Sequence, residues 1–217
     1  MDSTTINSAV NTTMTHMKLL KRRPFRIDCV PAPANGIDFD YAQLPLDVEI
    51  GCGVGLHPIQ YAKAHPDRYL IAIEQTRDKF EKFRRRFANH DLPNLLPVHA
   101  NAISWVSHGL RDHTVDNFFF LYPNPNPKNK DFNKRWYAMP FMEKVIACLK
   151  PHGCIHLATN VEFYAAEAKA NFEQVWHLET LRFEKIQAGD RIPRTHFEKK
   201  YLEKEMCFDM VLRKVVA

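Results

Sequence analysis

Long apolar runs are missing from this chain. No stretch of its 217 residues is long and apolar enough to span a bilayer as a helix, so no membrane partner is expected. The first sixteen residues are polar and threonine-rich, without the apolar core of a signal peptide, and a cytoplasmic protein is the expectation. Cysteine is sparse. The five cysteines, Cys29, Cys52, Cys148, Cys154 and Cys207, are scattered, odd in number and form no Cys-x-x-Cys pair. That excludes a disulfide frame or a zinc site and leaves reduced thiols. Eleven histidines include no His-x-x-x-His pair with an acidic partner, so no metal is expected. Charge of one sign is only mildly in excess: 30 Lys and Arg against 25 Asp and Glu leave +5. That bias is compatible with a nucleic-acid partner and does not establish one.

What is present suits one folded domain. An apolar fraction of 45% is ordinary, and the length suffices for a full core without staples. Residues 1–30 read as a flexible basic arm with Lys18, Lys21, Arg22 and Arg23; residues 31–217 form the domain. Pro31, Pro33, Asn35 and Gly36 mark its irregular lead-in.

Strand and helix patterns then alternate. Strands are expected at 46–50, 69–74, 95–99, 115–122, 154–159, 178–183 and 206–212. Helices are expected at 56–64, 77–87, from Asn101-Ala102 onward, at 136–149 and at 162–172. The run Phe118-Phe119-Phe120 fits a strand buried on both faces. The alternation predicts an α/β fold with a doubly wound parallel sheet.

Glycine is scarce as well. Only seven occur, yet three stand at Gly51, Gly53 and Gly55, directly after the first strand. In open α/β sheets that turn receives a nucleotide-like ligand. The spacing is Gly-x-Gly-x-Gly, with Leu56 where a dinucleotide fingerprint wants its last glycine, and Glu49 precedes the loop. A loop without a pyrophosphate cradle suits a ligand with an amino-acid end, which points to S-adenosyl-L-methionine (S-adenosylmethionine). Glu74 closes the second strand, where a carboxylate can accept from both ribose hydroxyls. Asn101, before Ala102, reads equally as a helix N-cap or as an acceptor for an adenine amino group.

After the fourth strand, Tyr122-Pro123-Asn124-Pro125-Asn126-Pro127-Lys128 makes a rigid non-helical loop. It lies where a substrate atom must approach the ligand. The segment from Lys128 to Arg135 and the arm from Lys18 to Arg23 are the phosphate candidates. The basic face of the second helix, Lys79 to Arg86, reads as a solvated surface packed underneath by Phe80, Phe83 and Phe87.

Together these residues resemble the bacterial tRNA (guanine-N7-)-methyltransferase family. The likeness runs through Glu49-Ile50-Gly51-Cys52-Gly53-Val54-Gly55, His65-Pro66-Asp67, Ile71-Ala72-Ile73-Glu74, the proline loop, Ala158-Thr159-Asn160 and Thr195-His196-Phe197-Glu198. The resemblance implies a Rossmann-like class I S-adenosylmethionine-dependent methyltransferase fold, with one antiparallel strand near the C-terminus. It implies cofactor binding by Glu49, Gly51, Gly53, Gly55, Glu74, Asn101, Ala102 and Asn124, with Asn124 at the catalytic position. It implies substrate binding by Lys128, Asn160, Thr195, Phe197 and Glu198, and tRNA as partner. The family carries Asp where this chain has Asn101, Asn124 and Asn160, and Trp where it has Asn126. Two other readings stay open on the residues alone: a paralogue acting on another RNA or other substrate, and an RNA-binding protein on this fold without turnover.

Overall fold

The computed structural model describes residues 18–34, 36–37 and 44–215. The chain runs β1 (Leu46–Ile50), α1 (Leu56–Ala64), β2 (Tyr69–Glu74), α2 (Arg77–Phe87), β3 (Leu95–His99), α3 (Ala102–Gly109) and β4 (Val115–Leu121). It continues through α4 (Met142–Cys148), β5 (Leu149–Thr159), α5 (Glu162–Gln174), β6 (Leu178–Ile186), α6 (His196–Leu202) and β7 (Cys207–Lys214). The seven strands form one sheet in the order β3-β2-β1-β4-β5-β7-β6. Strands β1 to β5 pair in parallel; β7 runs antiparallel to both β5 and β6. The single antiparallel strand expected near the C-terminus is β7.

Strand order reverses between β1 and β4, which lie side by side while their chain neighbours lie on opposite flanks. That switch point opens a crevice beyond the strands' carboxyl ends. The glycine turn leaves β1 there, and the proline loop leaves β4 beside it.

Alternate side chains of the central strands fill opposite faces. Phe118 and Phe120 enter one core with Val48, Ile50, Ile71 and Ile73, under α3, α4 and α5. Phe119 and Leu121 enter the other with Leu70 and Ala72, under α1 and α2. Each buried phenylalanine contributes about 1.5–3 kcal/mol by leaving water, which explains the unbroken apolar run in β4. On α2, Phe83 is fully buried and meets Phe80 and Phe87 edge-on at 6.3 and 6.4 Å.

Three expectations need correction. The helix expected at 136–149 is broken. A 3-10 turn covers Trp136–Ala138 and α4 begins only at Met142, because Pro140 lacks the N–H and restricts the residue before it. The next strand starts at once, at Leu149. Residues 18–30 are not a free arm. Leu20 is buried and its N–H donates to Asn171 Oδ1 at 2.7 Å, while Asn171 Nδ2 donates back to Lys18 O at 3.1 Å. Phe25 packs edge-on against Phe141, and Arg22 lies over the Trp176 ring. The remainder of the expected arm, 1–17, lies outside the described residues. The third correction is α6, a helix that the apolar pattern does not announce; Thr195 caps it by accepting from Glu198 N at 2.9 Å.

Candidate active site

The glycine turn is built from left-handed backbone. Gly51, Gly53 and Gly55 have φ of +78°, +63° and +81°, a region costly for any residue with a Cβ. Gly51 and Gly53 have nothing within 4 Å of a Cβ position, so open space lies before them. Gly55 differs: a Cβ there would meet Phe83.

Glu74 stands at the end of β2 with both carboxylate oxygens already oriented. Oε2 accepts from Gly53 N at 2.8 Å and Oε1 from Thr76 N at 2.7 Å. Each oxygen keeps a second lone pair, enough for a pair of hydroxyls. Glu49, at the end of β1, is buried and meets His57 Nδ1 through Oε2 at 2.8 Å. Among the described residues nothing donates to its other oxygen. Asn101 caps α3 by accepting from Ser104 N through Oδ1 at 3.2 Å, and its Nδ2 reaches Gln75 Oε1 at 3.5 Å. Of the two roles open to Asn101, the cap is in place, and the residue also borders the crevice.

The proline loop is held from below. Asn124 Oδ1 accepts from Asn126 N at 3.1 Å, closing a local turn, and Asn126 adopts φ +45°. Asn126 O accepts from Arg135 Nε and Nη2 at 3.1 and 3.0 Å, and Pro127 O from Nη2 at 3.3 Å. Arg135 is only 2% exposed, pairs with Glu167, and lies over Phe132 and Phe163. It is therefore a strut of the loop and not a phosphate contact, against the expectation for the segment from Lys128 to Arg135.

A buried ion cluster braces the loop's other end. Tyr122, at φ +55°, donates to Glu198 Oε1 at 2.9 Å. Glu198 is fully buried and also pairs with Arg191 and with Arg194 Nη2 at 3.1 Å. The same two arginines reach Asp209 on β7 at 2.7 and 2.9 Å. Burial alone would raise both carboxyl pKa values, but Arg194 and Arg191 hold Glu198 and Asp209 below the usual carboxylate range. Burial, with Cys207 and Glu198 beside it, pushes the Tyr122 phenol up, so it stays a donor. Burial, then Glu49 and Glu74, also push the Cys52 thiol well up, which makes it an inert side chain of the turn.

The crevice is a cavity of about 950 Å³. It brings together Glu49, Gly51, Gly53, Glu74, Asn101, Ala102, Asn124, Asn160, Thr195 and Phe197. Three expected residues stay outside it. Gly55 packs beneath, Lys128 is exposed and does not line it, and Glu198 lies under the wall with its oxygens taken by Tyr122, Arg191 and Arg194. Asn160 donates to Glu205 Oε1 at 3.0 Å. Phe197 is 47% exposed and stacks on Tyr201 at 6.1 Å, which in turn stacks on Tyr122 at 6.0 Å.

The sequence reading missed several contributors. Lys79, Lys82 and Arg86 line the cavity instead of facing bulk solvent alone. Their positions, three and four residues apart, were the available signal. Arg194, four residues before Glu198, had the same kind of spacing; His57, Tyr122, Arg135, Arg191 and Asp209 did not, since their partners lie more than one helical turn away in sequence. Among the described residues no cluster of His, Cys, Asp or Glu could hold a metal ion, and no helix is long and apolar enough to cross a membrane.

A family model described as a putative methyltransferase matches residues 43–208. A tRNA (guanine-N(7)-)-methyltransferase of Nitrosococcus oceani is 30% identical over 174 residues, covering 80% of this chain and 73% of that protein. A tRNA (guanine-N(7)-)-methyltransferase of Thermotoga maritima is 28% identical over 169 residues. That match takes in 77% of this chain but 53% of the relative, so the chain spans about half the relative's length. The crystal structure of a SAM-dependent methyltransferase from Aquifex aeolicus superposes with a TM-score of 0.56 at 14% identity, covering 81% of this chain and 86% of that one, a likeness of fold. By the span of that family model and by its curated relatives, the chain belongs to the methyltransferase family that includes the tRNA (guanine-N(7)-)-methyltransferases.

Proposed function

We propose that the protein transfers a methyl group from S-adenosylmethionine to N7 of a guanosine in tRNA, in the cytoplasm. The observation that carries the reading is one cavity shared by two sets of groups. The glycine turn with Glu49, Glu74 and Asn101 forms one end; Asn124, Asn160, Thr195 and Phe197 form the other. The residues fit the cofactor. The open space before Gly51 and Gly53 admits close approach of a ligand to backbone, and Glu74 offers two oriented acceptors for a ribose. The remaining oxygen of Glu49 suits a cationic amino-acid end. When bound, the cofactor supplies an electrophilic methyl on a sulfonium.

The chain's own part is geometric and electrostatic. Guanine N7 carries a lone pair and no proton in the neutral base, so no general base is required. What is required is in-line approach and tolerance of the positive charge that grows on the purine. Asn124, fixed by its turn to Asn126 and by the Arg135 strut, borders the point of approach. Its amide supplies an oxygen acceptor and an NH₂ donor, and no charge. Phe197, backed by Tyr201 and Tyr122, provides a flat apolar surface on which a base leaving its stack can rest.

The test is methyl transfer from labelled cofactor onto total tRNA, followed by identification of the modified nucleoside. N7-methylguanosine is the expected product. A different methylated nucleoside would replace the substrate assignment. Cofactor and tRNA binding with no transfer would leave a binding protein on this fold.

A further inference from the structure

Lys79, Lys82 and Arg86 occupy one face of α2, and that face walls the cavity mouth. Across the mouth Arg86 Nη1 meets His196 Nε2 at 2.9 Å and donates to Val54 O at 3.2 Å, tying α2 to both α6 and the glycine turn. Among the described residues no carboxylate lies within ion-pair distance of Lys79, Lys82, Arg86 or Lys199. Several cations elsewhere are matched. Arg84 on the same helix pairs with Glu81 at 3.0 Å, Lys144 with Asp112 at 2.7 Å, and Lys150 with Asp116 at 2.8 Å. The nearby acids Glu49 and Glu74 make no ion pair with these cations: Glu49 meets His57, and Glu74 accepts from the N–H groups of Gly53 and Thr76. Burial, then Arg86 and Lys199, hold the His196 pKa below its usual range, so the ring accepts from Arg86 in its neutral form.

We infer that Lys79, Lys82 and Arg86, with Arg86 steadied by His196, bind the phosphodiester backbone of RNA beside the target nucleotide. The inference rests on the RNA substrate proposed above and assigns it a backbone track. Two features favour an RNA strand over a single small phosphate. The three cations span seven residues of helix, about 10 Å, which makes a track longer than one anion needs. Phe197 presents its exposed ring next to His196, and cations beside a stacking surface are what single-stranded nucleic acid uses.

The experiment compares tRNA affinity across a salt series for the full chain, for Lys79→Ala/Lys82→Ala, and for a control pair away from the cavity, Lys63→Ala/Lys185→Ala. Loss of two phosphate contacts should weaken tRNA binding at least about tenfold at low salt. It should also flatten the slope of log affinity against log salt by about 1.4–1.8. Affinity for S-adenosylhomocysteine should stay within about twofold, and the control pair should match the parent. Unchanged tRNA affinity and slope in the α2 pair, or an equal loss in the control pair, would overturn the inference. So would intact tRNA binding together with lost binding of adenosine 3′,5′-bisphosphate, which would assign the cations to a small phosphorylated ligand. The two readings fail separately. A parent that methylates tRNA with an unaffected α2 pair sinks only the backbone track, whereas α2-dependent tRNA binding without transfer sinks only the activity.

Discussion

Replacing Gly55 by alanine tests the idea that the glycine turn is fixed by two separate demands. Gly55 precedes α1 at φ +81°, and a Cβ there would lie 1.9 Å from Phe83 Cδ2 and 2.6 Å from Cε2 and Cγ. The ring cannot step aside, because Phe83 is fully buried between Phe80 and Phe87. Left-handed backbone costs a non-glycine residue about 1–2 kcal/mol. Forcing a methyl into a filled core costs about 1–3 kcal/mol more. Gly55→Ala should therefore lose about 2–5 kcal/mol, a large share of the roughly 5–15 kcal/mol of a typical domain. Gly53→Ala carries only the backbone cost, about 1–2 kcal/mol, since nothing lies within 4 Å of its Cβ position.

Urea unfolding without ligand, followed by tryptophan fluorescence, separates the two. With a slope of about 2 kcal/mol per molar, Gly55→Ala should unfold about 0.5–1.5 M urea earlier than Gly53→Ala. The ranking should reverse for cofactor affinity, because Gly53 lines the cavity and Gly55 does not. A double-variant cycle isolates the clash. Phe83→Ala alone costs about 3–5 kcal/mol, but Gly55→Ala added to it should cost less than it does in the parent, by about 1–3 kcal/mol. Equal midpoints for the two glycine variants, or strict additivity with Phe83→Ala, would refute the reasoning.

Three further outcomes are expected. Asn124→Asp keeps the acceptor for Asn126 N and adds a charge, so kcat/KM for guanine-N7 transfer to tRNA should rise about tenfold or more; an unchanged or lower value would count against the role given to Asn124. Glu198→Gln leaves Arg191 and Arg194 short of a buried partner and should cost about 3–5 kcal/mol at pH 7, read as a urea midpoint. Because Glu198 and Asp209 are held below their ordinary 4.5 and 3.8, their stabilisation is complete above those values and lost as pH falls through the lower folded ones; the variant's acid limb should be shallower. Burial pushes His156 down to about 4 from 6.5, so between those values the unfolded chain binds a proton that the fold does not, and stability falls as pH falls, by about 3 kcal/mol across the window. His156→Gln retains a donor for Asn117 Oδ1 and should flatten that part of the profile.

The parts of the fold set by local pattern were legible in the sequence. Strands β1 to β3 and helices α1 and α2 fall at their expected bounds, because apolar periodicity and the glycine turn act within a few residues. The end of the cavity proposed for the cofactor was equally legible in its placement, since Glu49, Gly51, Gly53 and Glu74 sit at or just after strand ends that the pattern itself locates. The substrate end was legible only in part. Glu198 was expected to hold substrate, yet the turn of α6 places it inward; its spacing of four from Arg194 was readable, but Arg191 and Tyr122 meet it from 7 and 76 residues away. Arg135 looks like one more cation of a basic run, but its partners, Asn126 O and Glu167, come from a loop and a helix that only the folded sheet brings together. Pairings of that range leave no spacing to read.

The two ends of the cavity are therefore held by different physics, and this bears on what Asn124 and Asn160 do. Backbone geometry sets the proposed cofactor end, with Glu49 and Glu74 as its acids. Buried ion pairs set the proposed substrate end and leave its cavity-facing residues, Asn124 and Asn160, neutral. Carboxylates at these positions would oppose the basic wall of α2 and would also stabilise charge growing on a purine. Asparagines give up the second effect while leaving the wall's attraction for phosphate intact. Ground-state binding of an anionic substrate should then be preserved, and the cost should fall on the transition state. It follows that Asn124→Asp should act on kcat, with KM for tRNA unchanged or raised by the added negative charge. A gain carried by a lower KM would mean that Asn124 limits binding instead of chemistry.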